Sequence, residues 1–191
     1  AAAIFARLLA EKNGDTISTA ANTKFADIPA HAWYSGYVKY LSNNGITYGK
    51  SKTIFAPNDA ITRAEFTTMA VRFFDVYGDG DAEIMEQFSG FNDVSSGYWA
   101  AEYIKYAALH GWINGYGDGS FHADREINRA EVVTIVNRLL GREADEDYIA
   151  DNLRKLNTFP DVSRKHWAYY AVMEAANAHT AVLGENESWS K

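Results

Sequence analysis

Arg63 and Arg129 each follow directly on a capping residue, in Thr62-Arg63-Ala64-Glu65 and Asn128-Arg129-Ala130-Glu131. A cap followed three residues later by glutamate is the capping-box arrangement, in which the two side chains satisfy free backbone donors at a helix start. An arginine at the first helical position meets the positive end of the backbone dipole, which is unfavourable by about 0.3–1 kcal/mol, so helix stability does not account for it. A guanidinium beside free helix-end amides suits a carboxylate ligand. The alternative is an ion pair with a neighbouring aspartate such as Asp27 or Asp93. Trp33, Trp99 and Trp167 form a second group. A tryptophan at helical spacing more often belongs to a core, but its broad face also stacks well on a sugar ring.

These residues recur in one frame. Phe25-Ala26-Asp27-Ile28, Phe91-Asn92-Asp93-Val94 and Phe159-Pro160-Asp161-Val162 each precede a tryptophan by eight residues, counted from the phenylalanine. The first two copies run at a constant offset of 66 residues, so that Gly45 maps to Gly111, Gly49 to Gly115, Phe55 to Phe121 and Arg63 to Arg129. An internal period of this kind is the mark of a repeat protein, in which neighbouring copies bury one another's apolar faces.

After each tryptophan, apolar residues at helical spacing predict a first helix: Trp33, Tyr37 and Leu41 ending at Gly45, Trp99, Tyr103 and Ala107 ending at Gly111, and a third from about Trp167 to Ala178. Glycine just past the last periodic residue is a helix stop. A loop follows, with the turn signal Asp118-Gly119 in the second copy and Lys50 and Lys52 where Tyr116 and Asp118 stand. The capping boxes then open second helices with stripes Phe66, Met69, Ala70, Phe73 and Val132, Ile135, Val136, Leu139. The same stripe at Ala1, Ile4, Phe5 and Leu8, with Arg7 matching Arg72 and Arg138, places the start of the chain one residue past where a further capping box would end. The expected organisation is therefore a second helix plus connector at 1–24, a full helix-loop-helix repeat with connector at 25–90, the best-formed repeat with connector at 91–158, and a degenerate copy with only a first helix at 159–191. Three first and three second helices make an all-α chain. Tyr148, Ile149, Leu153 and Leu156 add a candidate short helix in the second connector.

Composition narrows the function. The 191 residues are 47% hydrophobic and 14% aromatic, enough for a globular core. There is no cysteine, which removes disulfides, thiolate metal sites and thiol nucleophiles. No apolar run is long enough to span a bilayer. A net charge of −7 without a basic cluster argues against nucleic acid, and any anionic partner has to be met by a local arginine or lysine. His31, His110, His122, His166 and His179 lack metal-binding spacing, so neither metal nor cofactor is expected. Asp79 to Glu83 reads as a solvated acidic connector rather than a calcium loop. Gly115 to Gly119 lacks the lysine and the strand-helix context of a phosphate loop, and no hydrolase motif is present. Asp27, Asp93 and Asp161 read as turn or cap residues, while Lys39 and Lys105 face either a groove or solvent.

The combination of Phe-x-Asp-Val, the tryptophan eight residues on, the Gly115-Tyr116-Gly117-Asp118-Gly119-Ser120-Phe121 loop and Ile127-Asn128-Arg129-Ala130-Glu131 resembles the S-layer homology module. Phe91 to Leu140 matches nearly end to end, Phe25 to Phe74 departs in its loop, and the third copy matches only from Phe159 to about Ala178. The resemblance implies a bacterial surface anchor. Modules in threes would form a pseudo-threefold helical spindle whose inter-repeat grooves hold an acidic secondary cell-wall polysaccharide, often pyruvylated. Carried onto this sequence, the glycan-binding residues are Arg63, Arg129, Trp33, Trp99, Trp167, Gly49 and Gly115. Such a module is extracellular, wall-bound and non-catalytic, is not inserted in a membrane, and can associate with itself by exchanging elements. Two other readings stay open: a structural module that has lost glycan binding, and the anchoring end of a wall-active enzyme.

Overall fold

A computed structural model of the chain describes residues 1–78, 88–182 and 188–190. The acidic segment Asp79 to Glu83 lies outside the described residues. Seven α-helices make up nearly all of the regular secondary structure among them: α1 (Ala2–Asn13), α2 (Ser35–Asn43), α3 (Arg63–Tyr77), α4 (Ala101–Leu109), α5 (Arg129–Leu139), α6 (Glu146–Asn152) and α7 (Tyr169–Ala176). The chain divides into two compact units, Ala1–Ile127 and Asn128–Lys191, so the division falls inside the second sequence copy, between its loop and its second helix.

In the first unit α1 packs on α2 and α3, and α3 on α4. Phe5 of α1 is fully buried, with ring centroids 5.4 Å from Phe66 and 4.9 Å from Phe73. Leu9, Leu41, Ile46, Ala70, Ile104 and Phe121 are buried as well. The predicted capping box at α3 is present: Thr62 accepts from the Glu65 amide, and Glu65 Oε2 accepts from the Thr62 amide at 3.0 Å. Gly45 and Gly111, the predicted helix stops, take positive φ of 74° and 67°.

The first helices begin later than the apolar spacing predicts. In every copy the chain makes two successive i to i−3 turns before the helix. Ala32 donates to Pro29 and Ser35 to Ala32, Tyr98 to Ser95 and Ala101 to Tyr98, His166 to Ser163 and Tyr169 to His166. Each tryptophan thus stands on a turn two residues ahead of its helix rather than on the helical stripe. Turn residues do not share the helix's buried face, and the indoles project outward.

The loops are tied down by the aspartates read as turn or cap residues. Asp27 accepts from the amides of Phe55 (2.9 Å) and Ala56 (2.6 Å), and Asp93 accepts from Phe121 and His122, both at 2.7 Å. The residue after each loop phenylalanine is left-handed, with φ of 60° at Ala56 and 54° at His122. Beneath the loop, a Cβ on Gly49 would come within 2.5 Å of the Phe25 ring and 2.6 Å of the Ile54 carbonyl. One on Gly115 would meet Phe91 and the Ser120 carbonyl at the same distances. Only glycine fits there.

The second unit holds α5, α6 and α7. α5 opens with the second predicted capping box, in which Glu131 donates its amide to Asn128 Oδ1 at 2.9 Å and accepts from the Asn128 amide at 3.0 Å. Asn137 fixes α5 to α7 through the Ala171 carbonyl. The candidate helix around Tyr148 is α6, capped by Asp145, whose other oxygen accepts from the Trp189 amide. The helical reading needs one amendment. The end of the chain adds a short antiparallel pair, β1 (Thr180–Val182) and β2 (Ser188–Ser190), with Ala181 opposite Trp189. Trp189 closes a cluster of Ile149, Tyr169 and Met173, and His179 stacks on it at 3.9 Å.

Burial pushes the Asp93 carboxyl up, but the Phe121 and His122 amides and the charge of His122 pull it below its ordinary value, and the amides of Phe55 and Ala56 do the same at Asp27. A depressed carboxylate stabilises the fold above its unfolded pKa of about 3.9, and that contribution is lost as pH falls through the lower folded value. Stability measured by denaturant titration should therefore fall below about pH 4, with a shallower acid limb in Asp93→Asn. Asp93→Ala should cost about 1–3 kcal/mol at neutral pH, since two loop amides lose a charged acceptor. Ala56→Gly, which relieves a left-handed alanine, should instead raise stability by about 0.5–1 kcal/mol.

Candidate functional site

Indole exposure is the most informative feature of the surface. Trp33, Trp99 and Trp167 are 66%, 56% and 65% exposed, although each is among the largest apolar side chains of its repeat. The first copy buries its motif phenylalanine, Phe25, and the second its loop phenylalanine, Phe121, yet all three copies leave the tryptophan of the frame in solvent, a placement that suits those rings for contact. The turn bearing Trp99 is stiffened by Tyr98, whose hydroxyl donates to Asp124 at 2.6 Å. Burial and the Asp124 carboxylate raise that phenol to about 12.

In the first unit Trp33 and Trp99 both line a cavity of about 530 Å³, together with Gly49, Tyr48, Lys50 and Arg72. Lys50 pairs with Glu65, the capping-box glutamate of α3. Burial pushes the Glu65 carboxyl up, but Lys50 and the Thr62 amide bring it below its ordinary value. Arg72 donates from Nε and an Nη to the Tyr103 hydroxyl at 3.3 and 3.2 Å, and its guanidinium lies 4.7 Å from the centre of the Tyr48 ring. The cavity thus offers two indole faces and two cations, Lys50 and Arg72, beside the carboxylates of Asp59 and Glu65, so an anion there is met by individual donors rather than by a net positive field.

The capping-box arginines differ from one another. Arg63 is only 5% exposed. Its Nε donates to the Phe121 carbonyl at 2.8 Å and an Nη to Asn114 at 3.2 Å, with the guanidinium 4.4 Å from the centre of the Phe121 ring. Backbone bonds continue the contact, from the Arg63 amide to Arg125, from Ala64 to Ala123 and from Ile127 to Ile61. Arg63 therefore grips the loop of the following copy, and the Asp27 and Asp93 carboxylates are occupied with loop amides. Arg129, in the second unit, is exposed, as is Trp167. Lys39 and Lys105 are also exposed.

Arg72 and Tyr48 were not among the residues singled out from sequence. The signal available was the recurrence of arginine at 7, 72 and 138 with tyrosine at 37 and 103, since Arg7 bonds Tyr37 as Arg72 bonds Tyr103. One arrangement imitates a hydrolytic triad. Ser120 Oγ lies 3.1 Å from His122 Nε2, and His122 Nδ1 lies 3.7 Å from Asp93. The serine hydroxyl is also 2.5 Å from Asp118, and Asp93 already accepts two amides, so these groups fasten the loop. Among the described residues no cluster of histidine and carboxylate could hold a metal, and no helix is long and apolar enough to cross a membrane.

Fold and surface together define a tandem helix-loop-helix repeat protein that presents tryptophans beside a partly cationic groove. Residues 24–67 and 90–133 each match the S-layer homology domain, and the chain carries two tandem copies of that family. It is 31% identical over 98% of its length to Cell surface glycoprotein 1 of Acetivibrio thermocellus, and 30% identical over 97% to the Cellulosome-anchoring protein of the same organism. It is 32% identical over 75% of its length to an Amylopullulanase of Thermoanaerobacterium thermosulfurigenes. The chain spans 8%, 39% and 7% of these proteins respectively.

The two arginines should separate on substitution. Arg63→Ala strips a buried cation from two carbonyls and should cost about 1–3 kcal/mol in urea denaturation, whereas Arg129→Ala should stay within about 0.5 kcal/mol of the parent.

Proposed function

We propose that the chain is an extracellular, non-catalytic anchoring module that holds a larger surface protein to the bacterial cell wall by binding an acidic, pyruvylated secondary wall polysaccharide. The observation that carries this reading is the repeated exposure of Trp33, Trp99 and Trp167, two of them on the wall of a groove that also offers Lys50 and Arg72. Indole faces stack on sugar rings, and the cations meet the acid substituent. Arg129 adds an exposed guanidinium at a helix start, beside the amides that favour an anion. Gly49 and Gly115 contribute by letting their loops lie flat on Phe25 and Phe91. Arg63 contributes by fixing the loop from Asn114 to Phe121. The names of the relatives, a cellulosome-anchoring protein among them, support anchoring, and the amylopullulanase supports a module that can be joined to an enzyme.

Titration calorimetry against purified wall polysaccharide, with and without its pyruvate groups, tests the reading. Trp33→Ala and Trp99→Ala should each weaken binding roughly three- to tenfold. Lys50→Ala with Arg72→Gln should abolish the preference for the pyruvylated form. A folded protein that binds no wall fraction would leave a structural module as the reading.

A further inference from the structure

Asparagine followed by glycine is the pairing most open to attack by the backbone on the side chain, because glycine brings no Cβ to shield its own amide. The chain holds three such pairs, Asn13-Gly14, Asn44-Gly45 and Asn114-Gly115. Two of them close helices. Asn13 is the last residue of α1, and the Gly14 amide donates to the Glu11 carbonyl at 3.3 Å. Asn44 follows α2 with φ −89° and ψ 8°, its Nδ2 donates to the Tyr40 carbonyl at 2.9 Å, and the Gly45 amide donates to the Ser42 carbonyl at 3.3 Å. A near-helical ψ holds the following nitrogen away from the side-chain carbonyl carbon, and an amide already engaged as a donor yields its proton less readily.

The third pair lies in the loop between α4 and α5. Both of its residues are exposed, and among the described residues the Gly115 amide donates no hydrogen bond. Its counterpart Gly49 donates to Thr47 Oγ1 at 3.4 Å, an acceptor that Ile113 lacks at the matching position. The fold also forbids the simplest protection. A Cβ on residue 115 would stand 2.5 Å from the Phe91 ring, so glycine has to be kept there and only the residue before it is open to change. The first copy has Tyr48 at that position, a side chain with no amide to lose.

From these differences we infer that the fold leaves Asn114 as a site of self-modification, converting through a succinimide to isoaspartate and aspartate, while it protects Asn13 and Asn44. The Gly115 nitrogen, its proton taken up by hydroxide, bonds to Asn114 Cγ, and the side-chain nitrogen leaves as ammonia after gaining a proton from water. A second water then opens the ring at either carbonyl. Opening at Cγ gives aspartate. Opening at the former backbone carbonyl gives isoaspartate, whose main chain runs through the side chain. In sum water is consumed and ammonia released, nothing is oxidised or reduced, and the chain gains a negative charge. In the isoaspartate form the backbone carbonyl that accepts from an Arg63 Nη at 3.2 Å becomes a carboxylate, so the new charge arises beside a cation already in place. The main chain is also longer by a methylene just where it crosses the Phe91 ring. The inference concerns the covalent chemistry of the loop and stands apart from glycan binding.

The test is peptide mapping by mass spectrometry of the full chain during incubation at mildly alkaline pH, folded and in urea, without any glycan. In the folded chain Asn114 should deamidate roughly tenfold faster than Asn13 or Asn44, which react only when a helix end opens. In urea the three rates should come within about threefold of one another, since all three share the same pairing and the helices are gone. Asn114→Gln should remove the fast event and leave the two slow ones unchanged. Equal rates at the three asparagines of the folded chain would overturn the inference whatever the polysaccharide titration shows. A lead for Asn114 that persists undiminished in urea would overturn it as well, because the cause would then lie in the neighbouring residues and not in the fold.

Discussion

Two carboxylates hold the repeat in shape. Asp27 and Asp93 each accept the amides of a loop phenylalanine and of the residue after it, and the second of those amides belongs to a left-handed residue in both copies. A left-handed alanine or histidine costs free energy that the loop alone cannot offset. A charged acceptor on two successive amides supplies the compensation. Once the phenylalanine is fixed, its ring lies against the first phenylalanine of the motif, at 5.4 Å for Phe25 and Phe55 and 5.1 Å for Phe91 and Phe121. The loop must then cross that ring at a residue without a Cβ, which is why Gly49 and Gly115 recur. Motif, clamp and glycine are one device, and the cavity wall is made of it.

The same rigidity explains how a repeat can leave its tryptophans in water. The two i to i−3 turns ahead of each first helix form a fixed ramp whose direction is set before the helix begins. An exposed indole on a mobile segment would fold back onto apolar surface. On a ramp bonded at both ends it stays where the turn points it, and a ligand that stacks on it has little ordering entropy to supply. The cations beside it are similarly prearranged, Arg72 by Tyr103 and Tyr48, Lys50 by Glu65.

Much of this was legible in the residues, and the parts that were not share a cause. The repeat, both capping boxes, the glycine stops and the extra helix at α6 are local patterns, and local patterns survive folding. The tryptophan spacing is also local, but it fitted helix and turn alike, and the helices start two residues later than periodicity implied. Arg63 was harder: its type and position suit a carboxylate, yet its partners are carbonyls 51 and 58 residues away, which no spacing rule reaches. The strand pair at the end of the chain was missed because its two strands have only three residues each.

The compact units do not coincide with the sequence copies, and the interactions say why. The loop of the second copy is bonded to the start of α3, which belongs to the first copy, through Arg63, Ala64 and Ile61. It therefore coheres with the helix that precedes it rather than with the helix that follows, and the unit boundary falls at Ile127, between loop and capping box. In repeat proteins the energy lies largely in the interfaces between neighbours. The cohesive element here is a second helix together with the next copy's first helix and loop. A fragment cut at the limits of the matched domain, 90–133, would keep the Asp93 clamp but part the Asn114 and Phe121 carbonyls from the guanidinium they hold. The sequence motif marks where the repeat can be recognised, and the arginine bridging two copies marks where it is held.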